Sequence, residues 1–341
     1  MFNKPSRVVA LALLFLLCLS PAALAAEPPP PPPPGVTMQA GLLMEMESGN
    51  VLWARDEKIA RPPASLTKIL TGLVALEQGN LEQTAVISKA ARGVAGQRMF
   101  AEEGWTMPVG DVLWGLLLQS GNDAAIVLAE TLSPDGTPAG FMQMANARAR
   151  ELGATDTNFM NPHGLDEPGH HTTARDLALI TSAALQNPAF AHMVSSKTHV
   201  VPWGDGQNHL FINHNKLLWR YPGAMGVKTG FTRGAGPSLI SAVHRDGRTL
   251  IAVVMGSADH YGESTALYDW GFANLPSLKA HSTYSIRPNL TPAGTELEMD
   301  EGAPAGLGTG VRVEVLVPAL SLVLGVCLAM VRRYSLYFSR A

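Results

Sequence analysis

Ser65 and Lys68 stand three residues apart at the head of an apolar-periodic stretch formed by Leu66, Ile69, Leu70, Leu73 and Val74. On a helix, side chains at i and i+3 are neighbours, so this spacing brings a hydroxyl and an amine together. A serine hydroxyl is a weak nucleophile until a base takes its proton. A lysine can be that base only if its pKa falls, through burial or a nearby cation. Two later strings offer partners in order, Ser120-Gly121-Asn122 and Lys228-Thr229-Gly230. Lys228 is the required cation if its strand docks beside Lys68. Ser120 could relay a proton to a leaving amine, and the Asn122 amide could hold both Lys68 and a substrate carbonyl. Lys228 and Thr229 offer a cation and a hydroxyl for a terminal carboxylate, while Gly230 lets an edge strand approach a substrate closely. The backbone N–H groups of Ser65 and Phe231 are the expected oxyanion-hole pair. Pro62 and Pro63 suit a helix start, whose dipole favours negative charge near Ser65.

Any one of these strings is common. Ser48-Gly49-Asn50 copies the second but precedes the serine–lysine pair and reads as a hairpin turn. Lys197-Thr198-His199 nearly copies the third. Order and placement together carry the catalytic reading. His163, His170, His171 and His214 lie in loops without the helix-borne spacing of a zinc protease, so no metal site and no cofactor are expected. Asp123, Asp166 and Asp176 read as caps or loop anchors rather than bases.

The elements that must hold these residues are legible in outline. Residues 40–47 and 51–55 read as strands around the decoy turn. Helices dominate residues 65–186, with segments 109–119 and 123–132 meeting at Ser120-Gly121-Asn122. Further helices are expected over 141–152, ended by Gly153, and over 173–185, capped by Thr172 or Thr173. Residues 161–171 form a polar loop. Strands return from about residue 194; 226–228 leads into one, and 238–245 and 248–255 flank Asp246-Gly247, the best hairpin signal in the chain. A closing helix is expected over 265–272. Strands, helices, strands and a helix in that order imply an α+β fold, an antiparallel sheet with a helical lobe.

The chain has 341 residues, 46% of them apolar, and a formal charge of −3. That is ample for a large core and gives no sign of a nucleic-acid partner. Residues 1–26 read as a secretory signal: Lys4 and Arg7 begin it, residues 8–19 are apolar, and Ala23-Leu24-Ala25 is a cleavage site. The prolines of 28–34 suggest a stiff spacer over 27–35. The charge-free run 315–331 would span roughly 26 Å as a helix, and Arg332 and Arg333 follow it as at a cytoplasmic flank. A C-terminal membrane anchor over 313–333 and a cytoplasmic tail over 334–341 are therefore expected. The two cysteines, Cys18 and Cys327, lie in the signal and the apolar run, so the exported domain has no disulfide framework.

With these residues in view, the chain resembles the low-molecular-mass penicillin-binding proteins that act as serine-type D-alanyl-D-alanine carboxypeptidases. The segment Pro63-Ala64-Ser65-Leu66-Thr67-Lys68-Ile69-Leu70-Thr71 is similar to that family's nucleophile segment. Gln119 to Ala124, Asn161-Pro162-His163-Gly164-Leu165, Ala174-Arg175-Asp176-Leu177-Ala178 and Gly226 to Thr232 are similar to its later motifs. The resemblance implies a penicillin-binding transpeptidase/β-lactamase-like domain over 36–275, followed by a spacer or reduced β segment over 276–312. It implies acylation of Ser65 by the penultimate D-alanine of a peptidoglycan stem pentapeptide, release of the terminal D-alanine, and hydrolysis. β-Lactam antibiotics would acylate the same serine as inhibitors. The catalytic domain would lie on the outer, periplasmic face of the cell membrane. Three departures stand out: Phe231 follows Lys-Thr-Gly where some relatives have histidine, residues 258–265 lack the arginine that some relatives use for the substrate carboxylate, and residues 275–312 are too short for the full β-rich second domain of larger relatives. An endopeptidase cutting peptidoglycan cross-links shares these motifs; a β-lactamase is disfavoured because no glutamate in an E-x-x-x-N setting follows the second motif; a non-catalytic wall-binding protein is a further alternative.

Overall fold

The computed structural model describes residues 28–290. The expected signal over 1–26 and the expected anchor and tail over 313–341 lie outside the described residues. Among the described residues no helix is long and apolar enough to cross a membrane.

Two strands open the fold, β1 (Ala40–Glu45) and β2 (Val51–Arg55), with Ser48 and Gly49 in the turn between them. A 3₁₀ turn, Ala64–Thr67, leads directly into α1 (Lys68–Gln78). The helical lobe continues through α2 (Lys89–Gly93), α3 (Val109–Leu117), α4 (Asn122–Leu132), α5 (Pro138–Glu151), α6 (Ala174–Gln186) and α7 (Pro188–Ser195). A short ribbon, β3 (Thr84–Val86) with β4 (Thr106–Pro108), interrupts it. Thr173 caps α6 by accepting from the Asp176 N–H, as expected of a threonine there. A second ribbon pairs β5 (Thr198–Pro202) with β6 (Asn208–Ile212), and α8 (Leu217–Arg220) follows. Then come β7 (Ala224–Gly230), β8 (Ser238–Arg245), β9 (Arg248–Met255) and α9 (His260–His281).

The main sheet has the order β2-β1-β9-β8-β7, and every pairing is antiparallel. Alternation sorts its side chains to two faces. Leu250, Ala252 and Val254 of β9 join Leu267, Tyr268 and Leu278 of α9 in one core. Ile251, Val253 and Met255 face the other way, into the core of the helical lobe with Ile69, Leu73, Leu177 and Ile180. The topology leaves β7 at one edge, where it packs against the 3₁₀ turn.

Two expectations shift. The closing helix runs from His260 to His281, well beyond 265–272, with Pro276 inside it. The chain then returns to the sheet, where Ser285 bridges Asn50 and Ile286 is buried. Residues 276–286 therefore belong to the packed unit. The proline run is also held: Trp270 Nε1 donates to the Pro31 carbonyl at 2.7 Å, so this part of the spacer lies against α9.

Candidate active site

Ser65 sits one residue into the 3₁₀ turn, and α1 begins only at Lys68. The backbone at Ala64 enters the left-handed region, with φ +50°. That conformation is costly for a residue with a Cβ, and the burial around it must hold it there. Gly164 packs against the same peptide. A Cβ at Gly164, whose φ is +91°, would fall 1.9 Å from the Ala64 carbonyl oxygen. Only glycine fits between that loop and the serine turn.

Lys68 is wholly buried. Its Nζ lies 2.9 Å from Ser65 Oγ, 2.7 Å from Asn122 Oδ1 and 2.5 Å from the His163 carbonyl oxygen. A neutral amine has two N–H donors and one lone pair. Two of these neighbours can only accept, so the lone pair is left facing the serine hydroxyl. The Asn122 amide is turned this way because its Nδ2 donates to the Ala95 carbonyl at 2.6 Å. Burial drives the Lys68 pKa well below the usual lysine range, and the charge of Lys228 adds to it.

Lys228 is buried on edge strand β7. Its Nζ donates to Ser120 Oγ at 2.9 Å and to the Thr229 carbonyl at 3.2 Å, and burial pushes its pKa down to about 7. Ser120, also at positive φ (+59°), is buried at the junction of α3 and α4. Gly230 ends β7 against the serine turn. A Cβ there would meet Leu66 Cγ at 3.2 Å, Ala64 Cβ at 3.3 Å and Ser65 N at 3.3 Å. Phe231 follows with its side chain 67% exposed. The fold thus forms two hydrogen-bonded groups, Ser65–Lys68–Asn122 and Ser120–Lys228, coupled by the charge of Lys228 on Lys68, with Gly230 packed against the serine turn.

The family of this chain can be read from comparison with known proteins. A D-alanyl-D-alanine carboxypeptidase family model matches residues 26–259. The chain belongs to the D-alanyl-D-alanine carboxypeptidase family. It is 38% identical over 252 residues to the D-alanyl-D-alanine carboxypeptidase DacB2 of Mycobacterium tuberculosis, covering 72% of this chain and 85% of that protein. It is 36% identical over 290 residues to DacD of Salmonella typhimurium, covering 80% and 73%. The crystal structure of a D-alanyl-D-alanine carboxypeptidase from M. tuberculosis superposes with a TM-score of 0.67 at 37% identity, covering 73% of this chain and 95% of that one. A mutant of the Streptomyces K15 DD-transpeptidase gives 0.67 at 30% identity, covering 70% and 99%. The family is thus that of serine hydrolases, on the penicillin-binding transpeptidase-like α+β fold.

The remaining carboxypeptidase residues fall into supporting places. Asp123 accepts from the N–H groups of Met99 and Phe100, Asp166 from Thr232 Oγ1 and the Gly234 N–H, and Asp176 from Thr157 Oγ1 and the Asp156 N–H. All three are anchors, as their sequence positions suggested. The four histidines are engaged separately. The His163 carbonyl serves Lys68, and its ring, like those of His170 and His214, is kept neutral chiefly by burial, at about 3, 4 and 4 respectively. His171 Nδ1 lies 2.8 Å from the Gly169 carbonyl. Sequence reasoning missed the carbonyls of Ala95 and His163, because backbone oxygens leave no signature in residue types.

Proposed function

We propose that Ser65 is the nucleophile of this serine D-alanyl-D-alanine carboxypeptidase and Lys68 its base. The supporting observation is the buried Lys68 amine 2.9 Å from Ser65 Oγ, with its other two neighbours able only to accept. In the proposed first step Oγ attacks the carbonyl of the penultimate D-alanine while its proton passes to Lys68 Nζ. The N–H groups of Ser65 and Phe231 stabilise the oxyanion. The C–N bond then breaks, and the leaving nitrogen takes a proton through Ser120, so the terminal D-alanine departs as a neutral amine. Lys68, returned to its neutral state, activates water to hydrolyse the ester and restore Ser65. A penicillin enters the same path with its lactam carbonyl in place of the peptide. Its covalent adduct is the direct test: after incubation, the intact protein should gain the mass of one inhibitor, carried on the peptide containing Ser65.

Lys228 and Thr229 are assigned to the substrate's terminal carboxylate. With no arginine in residues 258–265, Lys228 carries more of that charge. Lys228→Ala is expected to weaken peptide turnover more than Lys228→Arg, because arginine keeps the cation. A stem peptide and its C-terminal amide, assayed side by side, decide this. Wild type should prefer the acid, and Lys228→Ala should lose that preference; equal discrimination by both proteins would assign the carboxylate to another cation such as Arg233. The mutation also removes a charge that depresses the Lys68 pKa. The acid limb of acylation should therefore move to higher pH in Lys228→Ala.

The ends of the chain support export and anchoring: a cleaved signal over 1–26, a spacer over 27–35, and a span over 313–333 that holds the catalytic domain on the periplasmic face of the cell membrane. A chain ending near Gly310 should then be released in soluble form and remain active. Fractionation checks it: if the shortened enzyme stays in the membrane pellet after a salt wash, the tether lies elsewhere.

A further inference from the structure

His170 is buried, lies outside the serine–lysine, Ser-Gly-Asn and Lys-Thr-Gly strings, and has no part in the chemistry just described. Its ring stacks on Phe159 with centroids 5.2 Å apart and planes 20° from parallel. The Met160 N–H donates to its Nδ1 at 2.9 Å. That nitrogen therefore holds a lone pair, and in the neutral ring the proton is on Nε2. Nε2 lies 3.0 Å from Thr67 Oγ1, a fully buried hydroxyl. With Oγ1 accepting from the ring, the threonine proton goes to the Ala64 carbonyl at 2.9 Å. The hydrogen bonds then run one way, from Met160 N–H through His170 and Thr67 to Ala64 C=O.

The end of this chain matters because the Ala64 carbonyl belongs to the same peptide plane as the Ser65 N–H. A peptide unit is rigid, and its C=O and N–H point in opposite directions. Fixing one fixes the other. This peptide follows a residue at φ +50° and is wedged against Gly164, so its orientation is not a backbone default. We propose that His170 is a positioning residue for catalysis: acting through Thr67, it aims the Ser65 N–H at the place where the oxyanion forms. The ring stays neutral at ordinary pH because burial holds its pKa near 4, so Nδ1 remains an acceptor for Met160. The inference rests on the assignment of Ser65 as nucleophile and oxyanion donor.

The test uses two substitutions that keep shape and remove one link each. His170→Phe retains the stack on Phe159, and Thr67→Val retains the volume of the threonine. Stopped-flow kinetics with a chromogenic β-lactam separates non-covalent binding, acylation and deacylation per acylable site. Removing an oxyanion donor outright costs about 10²–10³-fold, so a misaimed one should cost roughly tenfold. Both acylation and deacylation should fall by that factor in both variants, since each passes through an oxyanion, while the non-covalent binding constant stays put. Thr67→Ser, which keeps the hydroxyl, should regain most of the loss. A merely structural role would lower the melting temperature and leave rates per site alone. Rates within twofold of wild type in folded Thr67→Val or His170→Phe overturn the inference. If Ser65→Ala is still acylated, the nucleophile assignment fails instead, and the two failures are told apart.

Discussion

Ser65→Ala is expected to abolish penicillin labelling and to cut D-alanine release on the order of 10⁶-fold, the scale on which serine hydrolases lose activity with their nucleophile. The fold should survive. The serine hydroxyl makes one contact within the cluster, to Lys68, and the amine keeps Asn122 Oδ1 and the His163 carbonyl after its loss. A single lost hydrogen bond of this kind costs about 1 kcal/mol, well inside the stability of a domain this size. Circular dichroism and melting temperature should therefore match wild type while the covalent adduct disappears. Among the described residues Ser65 is the serine hydrogen-bonded to Lys68. Ser120, the other serine proposed to take part in the reaction, has its Oγ paired with Lys228 instead. Labelling that persists on the mutant would rule Ser65 out and point to that second serine.

Much of this arrangement is visible in residue types, and what is hidden has physical causes. The Asp246-Gly247 turn places β8 and β9 within their observed bounds, because two-residue turns of this composition have one dominant geometry. The expected order of strands and helices also holds. Ser65 itself is less simple. Its sequence suggests the first turn of an α-helix, yet it lies in a 3₁₀ turn after a left-handed Ala64. Nothing in an alanine announces positive φ; the packing of Gly164 and the Thr67 hydroxyl imposes it. The closing helix expected over 265–272 runs on to His281, past Gly271 and Pro276, two residues that ordinarily weaken or stop a helix. Leu278 continues the apolar contact with the sheet and outweighs the proline. The β3–β4 ribbon has three residues in each strand, too few for any alternation to register. Asn122 is legible as a residue, but the carbonyl that turns its amide comes from Ala95, whose side chain has nothing to do with the task.

Lys68→Ala should be nearly as damaging as loss of the serine, with acylation down on the order of 10²–10⁴-fold, the usual contribution of a positioned base. The sign of its pH dependence makes the prediction specific. The active form of the base is the neutral amine. Burial and the Lys228 charge both favour that form, so the Lys68 pKa lies well below its ordinary value. Wild-type acylation should thus rise as pH climbs through this lowered pKa and level off once the amine is neutral. In Lys68→Ala that plateau should vanish, and the residual rate should grow with hydroxide concentration, since hydroxide is the remaining base. The substitution also leaves Asn122 Oδ1 and the His163 carbonyl without their donor, a loss of about 1–3 kcal/mol in stability. Rates must accordingly be expressed per folded molecule, counted by circular dichroism. If acylation per folded Lys68→Ala molecule stays near wild type at neutral pH, the proton goes elsewhere. The Ser120–Lys228 pair, joined at 2.9 Å and with Lys228 pushed down to about 7, would then be the base.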